Sequence, residues 1–88
     1  MRSIQFDPKG YQDFIKWSDE NEEAFIKIKK LIEDIQRDTF KGMGKPEPLK
    51  KNLQGFWSRR ISDEHRLIYR VQGEIIRIVS CHGHYNDL

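Results

Sequence analysis

Between Gly44 and Asn52 the chain reads GKPEPLKKN, which sets one acid, Glu47, between two prolines and follows it with Lys50 and Lys51. Further on, Arg59 and Arg60 are adjacent, His65 precedes Arg66, and His82, His84 and Tyr85 crowd the end of the chain. These residue types are what cleavage of a ribose phosphodiester without a metal requires. A base must take the 2′-hydroxyl proton, fixed cations must hold charge on the phosphate as it becomes five-coordinate, and an acid must protonate the departing 5′-oxygen. Glu or His can be the base, Lys and Arg the clamp, and His or Tyr the acid. The prolines bear on the first of these roles. Pro48 pushes Glu47 toward an extended backbone and Pro46 stiffens the approach, so the carboxylate loses less entropy when a substrate docks. Equally, two prolines rigidify an ordinary loop.

Other chemistries fit less well. His82-Gly83-His84 offers imidazoles but not three or four spaced ligands, and Cys81 beside His82 is poorly placed for zinc, so no metal and no cofactor are expected. No Ser or Cys stands in a nucleophile motif, and Cys81 reads as a small core hydrophobe. Charge is unevenly spread. Residues 1–44 carry eight Lys/Arg and nine Asp/Glu, whereas residues 45–88 carry eight and five. Phe56, Trp57 and Tyr69 are interleaved with the basic residues of the second half, the footprint of a surface that meets a phosphate backbone. Each ring also reads as core, and scattered lysines commonly serve only to keep a small domain soluble.

The chain that must position these groups has 88 residues, 36% hydrophobic and 34% charged, with a net charge of +2. Those values describe a single globular domain over residues 1–88, with a small core. No apolar run approaches the roughly 20 residues of a membrane span, and no secretory signal is visible. A lone cysteine fits a reducing cytoplasm.

Ile4 and Phe6 alternate in a short opening strand. Asp7 and Pro8 then start a helix with Tyr11, Phe14, Ile15 and Trp17 facing inward. Asp19, with Glu22 three residues on, predicts the cap of a second helix over about residues 20–38, whose Phe25, Ile28, Leu31, Ile32 and Ile35 form one apolar stripe. Residues 39–55, rich in Gly and Pro, read as a structured loop. Three alternating segments follow, Trp57–Ile61, His65–Val71 and Glu74–Cys81, with turns near Asp63-Glu64 and Gln72-Gly73. The fold class is therefore α+β, two N-terminal helices on one face of a mostly antiparallel sheet, with the other face open and Arg66 reaching it.

The run GKPEPLKKNLQGFWSRRISDEHRLIYRV, together with His84-Tyr85, resembles the YoeB (Txe/YoeB) toxins of the RelE superfamily, and the likeness covers nearly the whole chain. The resemblance implies a RelE/YoeB-like microbial ribonuclease fold. It implies the toxin of a type II toxin-antitoxin pair, an endoribonuclease that cleaves mRNA in the ribosomal A site and stops translation. By position, Glu47 would be the general base, His84 the general acid and Arg66 the cation on the transition-state phosphate. Lys50 and Arg60 would hold the RNA backbone, with Lys51 and Arg59 as further phosphate contacts, and Tyr85 would orient the substrate. The implied partners are the ribosome and mRNA, a YefM-like antitoxin whose disordered segment folds over the toxin, operator DNA reached only through that antitoxin, and a second toxin copy. Two departures stand out. Family members commonly end at the His-Tyr pair, whereas Asn86, Asp87 and Leu88 follow it here, and Gly83 replaces a more familiar aromatic, which should loosen the tail carrying His84. Two alternatives come from other classes: a non-catalytic ribosome- or RNA-binding translation inhibitor, and an interaction domain whose basic face serves only an acidic antitoxin.

Overall fold

The computed structural model describes residues 1–84. Strand β1 (Ser3–Phe6) leads into helices α1 (Pro8–Glu20) and α2 (Glu22–Arg37), and the two-residue strand β2 (Glu47–Pro48) follows. A 3-10 turn at Lys51–Leu53 then precedes β3 (Trp57–Arg60), β4 (Arg66–Gln72) and β5 (Ile75–Ser80). The sheet order is β1-β5-β4-β3-β2. Only β1 and β5 run parallel; the other pairs are antiparallel, as hairpin-length connections require. The fold class and the three C-terminal strands agree with the sequence to within about a residue at each end.

Helix α2 forms as its apolar stripe dictates. Ile28, Leu31 and Ile35 are fully buried, each contributing about 2 kcal/mol. They meet Ile61, Leu67, Tyr69, Ile76 and Ile78 from one face of the sheet. The cap lies two residues later than the sequence suggested. Asn21 ends α1 by donating its backbone N–H to the Trp17 carbonyl, and its side chain accepts the Ala24 amide to begin α2. One extended residue thus serves both helices, so Asp19 stays inside α1.

In α1 the inward face is Gly10, Phe14 and Trp17, while Tyr11 and Ile15 are exposed, a correction to the expected stripe. The phase is set by Gly10, where any Cβ would collide with the Ile78 carbonyl oxygen, so the bare glycine lets α1 settle on β5. Asp7 and Pro8 do start the helix, but the Asp7 carboxylate makes no cap bond. It binds Arg77 of β5 instead, at 2.7 and 3.1 Å, which holds its pKa below the usual aspartate value.

Candidate active site

Glu47 does not sit in an irregular loop. It belongs to β2, where it lies opposite Ser58, and Pro48 lies opposite Trp57. An edge strand is where proline is tolerated, since its missing N–H leaves no inner partner unsatisfied. The extended backbone that Pro48 favours is therefore the one that lets Glu47 pair with the sheet. Buried Leu49 anchors the end of the strand, and its amide donates to the Phe56 carbonyl at 2.9 Å. Lys45 and Lys51, at φ of 52° and 58°, bracket this stretch in the left-handed region, a strain of about 1 kcal/mol or more each. From Glu47 to Leu53 the chain wraps a shallow concavity of about 410 Å³, with Glu47, Lys50 and Lys51 all exposed.

The register carries this carboxylate into a row. Glu47 faces Ser58, Ser58 faces Ile68, and Ile68 faces Ser80, across four strands. Ser58, Ile68 and Ser80 are buried but stand outside the helix-covered core, so they floor the second face of the sheet. Two residues along the same strands, Arg60 lies directly opposite Arg66. Alternation puts this arginine pair on the face that carries Glu47.

Arg66 reaches that face as expected, and it is held there. Its Nη1 donates to the carbonyls of Ser62 at 2.6 Å, His65 at 3.1 Å and Asp63 at 3.2 Å. The turn itself is closed by the Ile61 and Ser62 amides on the His65 carbonyl. A guanidinium fixed by three carbonyls needs little reorganisation when negative charge arrives.

The tail comes to the same place. The Arg66 amide donates to the Gly83 carbonyl at 2.9 Å, and the Gly83 amide donates to His65 Nδ1 at 2.8 Å. Gly83 adopts φ 85°, a region open to glycine and strained for an aromatic residue. Far from loosening the tail, it lets the chain be gripped on both sides, one residue before His84. Below Gly83, Cys81 is fixed to α1: Trp17 Nε1 donates to its carbonyl at 2.6 Å and its amide donates to Asp13 at 3.0 Å. Burial pushes the Cys81 thiol up to about 12, so it stays protonated and unreactive. Tyr85 and the extension Asn86 to Leu88 lie outside the described residues.

Arg59 is the site expectation that the structure corrects. It is fully buried on the helix side of β3. Its guanidinium meets Asp34 at 2.5 Å, the carbonyls of Asp38, Lys41 and Met43 at 2.7 to 3.2 Å, and Tyr69 Oη at 3.2 Å. With its donors so engaged it has nothing to offer a phosphate. It is a clamp on residues 38–43, and the Tyr69 hydroxyl adds a bond to the Thr39 carbonyl at 2.6 Å. The Met43 amide, more than Arg59, holds the Asp34 carboxyl below its ordinary value. Tyr69 is core, and burial raises its pKa. Trp57 packs on Phe40, and Phe56 lies under Arg70 at 5.2 Å.

Sequence reasoning therefore passed over Asp13 and Asp34, neither of which touches the open face, and foresaw Trp17 only as core. The Asp13 and Trp17 spacing of four residues, one helical turn, was the available signal. A cleft of about 550 Å³ between the α1–α2 junction and the β3–β4 turn is lined by Trp17 and His65 but by none of Glu47, Lys50, Arg60 and Arg66. The candidate site is the open face, where the strand register brings Glu47, Arg60 and Arg66 to one side of the sheet. Among the described residues no three His, Cys, Asp or Glu side chains gather into a set able to hold a metal ion.

Comparison with known proteins gives the family and the fold. Residues 6–85 match the YoeB-like toxin family of bacterial type II toxin-antitoxin systems. Toxin YoeB of Mycobacterium bovis is 47% identical over 85 residues, covering 97% of this chain and 100% of that one. The YoeB dimer from Staphylococcus aureus superposes with a TM-score of 0.88 at 41% identity, over 96% of this chain and 98% of that one. The toxin in the YoeB-YefM complex from Staphylococcus aureus superposes at 0.87 and 42%, over 97% and 99%. With both sequence and fold matched over nearly their full lengths, the chain belongs to the YoeB-like toxins of bacterial type II toxin-antitoxin systems.

Proposed function

We propose that this toxin cuts mRNA in the ribosomal A site, without a metal, by acid-base catalysis through the ribose 2′-hydroxyl. Glu47 takes the hydroxyl proton and the 2′-oxygen attacks the adjacent phosphorus. The bond from phosphorus to the 5′-oxygen breaks, and His84 gives that oxygen a proton, leaving a 2′,3′-cyclic phosphate and a 5′-hydroxyl. Arg66 stabilises charge on the non-bridging oxygens, a role worth about 3 kcal/mol. Lys50, Lys51 and Arg60 hold the flanking phosphates, and Tyr85 orients the substrate by stacking on a base.

One observation carries this reading: the hydrogen bond from the Arg66 amide to the Gly83 carbonyl, at 2.9 Å, on a strand whose Arg66 is in register with Arg60. It ties the segment that carries His84 to the strand that carries Arg66, on a sheet whose edge presents Glu47. The likeness to the Staphylococcus aureus proteins supports a YefM-like antitoxin as partner and a toxin dimer, with operator DNA met only through the antitoxin. No described helix is long and apolar enough to cross a membrane, and we place the toxin in the cytoplasm with its ribosomal target.

The test is a primer-extension map of mRNA ends on programmed ribosomes. Discrete new ends at the A-site codon are expected. Inhibited translation with intact mRNA would instead identify a non-catalytic ribosome-binding inhibitor.

A further inference from the structure

We propose that His65 is a positioning residue for His84: its Nδ1 accepts the Gly83 amide and thereby fixes the tail that carries the acid. The effect on rate rests on the ribonuclease reading above, whereas the effect on the tail rests on geometry alone.

His65 and Arg66 are neighbours on the chain, and between them they hold both polar groups of one glycine. The Gly83 amide donates to His65 Nδ1 at 2.8 Å, and the Gly83 carbonyl accepts from the Arg66 amide at 2.9 Å. The imidazole cannot easily follow the tail if the tail moves. It meets the Trp17 ring edge-on at 4.9 Å and the His82 ring at 4.5 Å, and Trp17 is itself bonded to the Cys81 carbonyl. Its backbone is fixed as well, since the His65 amide donates to Ser62 Oγ and its carbonyl closes the β3–β4 turn. A fixed acceptor opposite a left-handed glycine defines the exit direction of the chain one residue before His84.

Accepting at Nδ1 places the proton of the neutral ring on Nε2. The rings shown against the imidazole are those of Trp17 and His82. Burial, and then the nearness of His65 and Lys16, push the His82 pKa down, which favours a neutral ring against His65.

Two substitutions separate the acceptor from the ring. His65→Asn keeps an acceptor, Oδ1, where Nδ1 stands but removes the ring, and His65→Phe keeps a ring but removes the acceptor. Amide exchange and the coupling between Gly83 N and His65 Nδ1 across the hydrogen bond are read by NMR on the isolated toxin. Single-turnover cleavage is read on saturated, programmed ribosomes. We expect a protected Gly83 amide in the parent and in His65→Asn, and exchange at least about tenfold faster in His65→Phe. The rate should fall by about 10- to 100-fold in His65→Phe with ribosome affinity unchanged, and stay within about threefold in His65→Asn. An unprotected Gly83 amide in the parent overturns the proposal, and so does a fast His65→Phe beside a slow His65→Asn. If the parent does not cut at all, the ribonuclease reading fails, and the exchange experiment alone decides whether His65 holds the tail.

Discussion

Arg66 combines two features that a surface arginine seldom has together. Its charge lies on the open face of the sheet, yet its Nη1 is tied to three carbonyls of one turn. Arg66→Ala should leave the fold intact and lower cleavage by at least about two orders of magnitude, as expected on losing a preorganised transition-state cation. Arg66→Lys should recover only part of that loss, because a single ammonium cannot reproduce the planar fork. Near-parental cleavage by Arg66→Ala, with circular dichroism confirming the fold, would remove the residue from the mechanism. The neighbouring arginines teach a rule about legibility. Arg59 and Arg60 look like one basic patch in the sequence, but adjacent residues of a strand point to opposite faces. Only Arg60 is on the open side; the two-residue period was in the sequence and decides between them.

At the scale of elements, the Arg59 clamp ties the end of α2 and residues 38–43 to the sheet, just before the chain enters β2. Asp34→Asn should cost about 2 kcal/mol, less than for a wholly buried pair because Asp34 is partly exposed. Amides of residues 38–43 should exchange faster in that variant. The pH dependence has a definite sign. The Asp34 pKa is lowered from 3.8 on folding, so its contribution is full above that value and is lost as pH falls through the folded value. Acid unfolding of the Asp34→Asn variant should lack that component. Gly10→Ala is a second test, since the added methyl meets backbone of β5 and not a pliable side chain. It should destabilise by about 2 kcal/mol or more, although alanine favours helix elsewhere. Thermal melts of both variants give the comparison. Helix α2 and β3 to β5 were legible because their apolar periods are clear. The α1 phase was not, because glycine carries no hydrophobic signal, and β2 was not, because Glu-Pro carries no strand signal and is held by pairing with β3 alone.

Across the whole molecule, one face of the sheet is covered by both helices and the other presents Glu47, Arg60 and Arg66 over a buried floor. This division follows from two helices placed before the strands, and it leaves one face of the sheet, with Arg60 and Arg66, uncovered by helix. Lys50→Ala and Arg60→Ala should each reduce the slope of log affinity against log salt by roughly one, measured as ribosome or RNA association over a salt series. An unchanged slope in both would show that the face meets no phosphate. The carboxylate that β2 presents is the group on which the chemistry depends most directly. Glu47→Gln keeps the shape of the side chain and removes its basicity, so single-turnover cleavage on saturated, programmed ribosomes isolates the chemical step. The rate should fall by roughly two to four orders of magnitude while binding stays close to that of the parent. A Glu47→Gln toxin that cuts as fast as the parent under those conditions would contradict the assignment of Glu47 as the base.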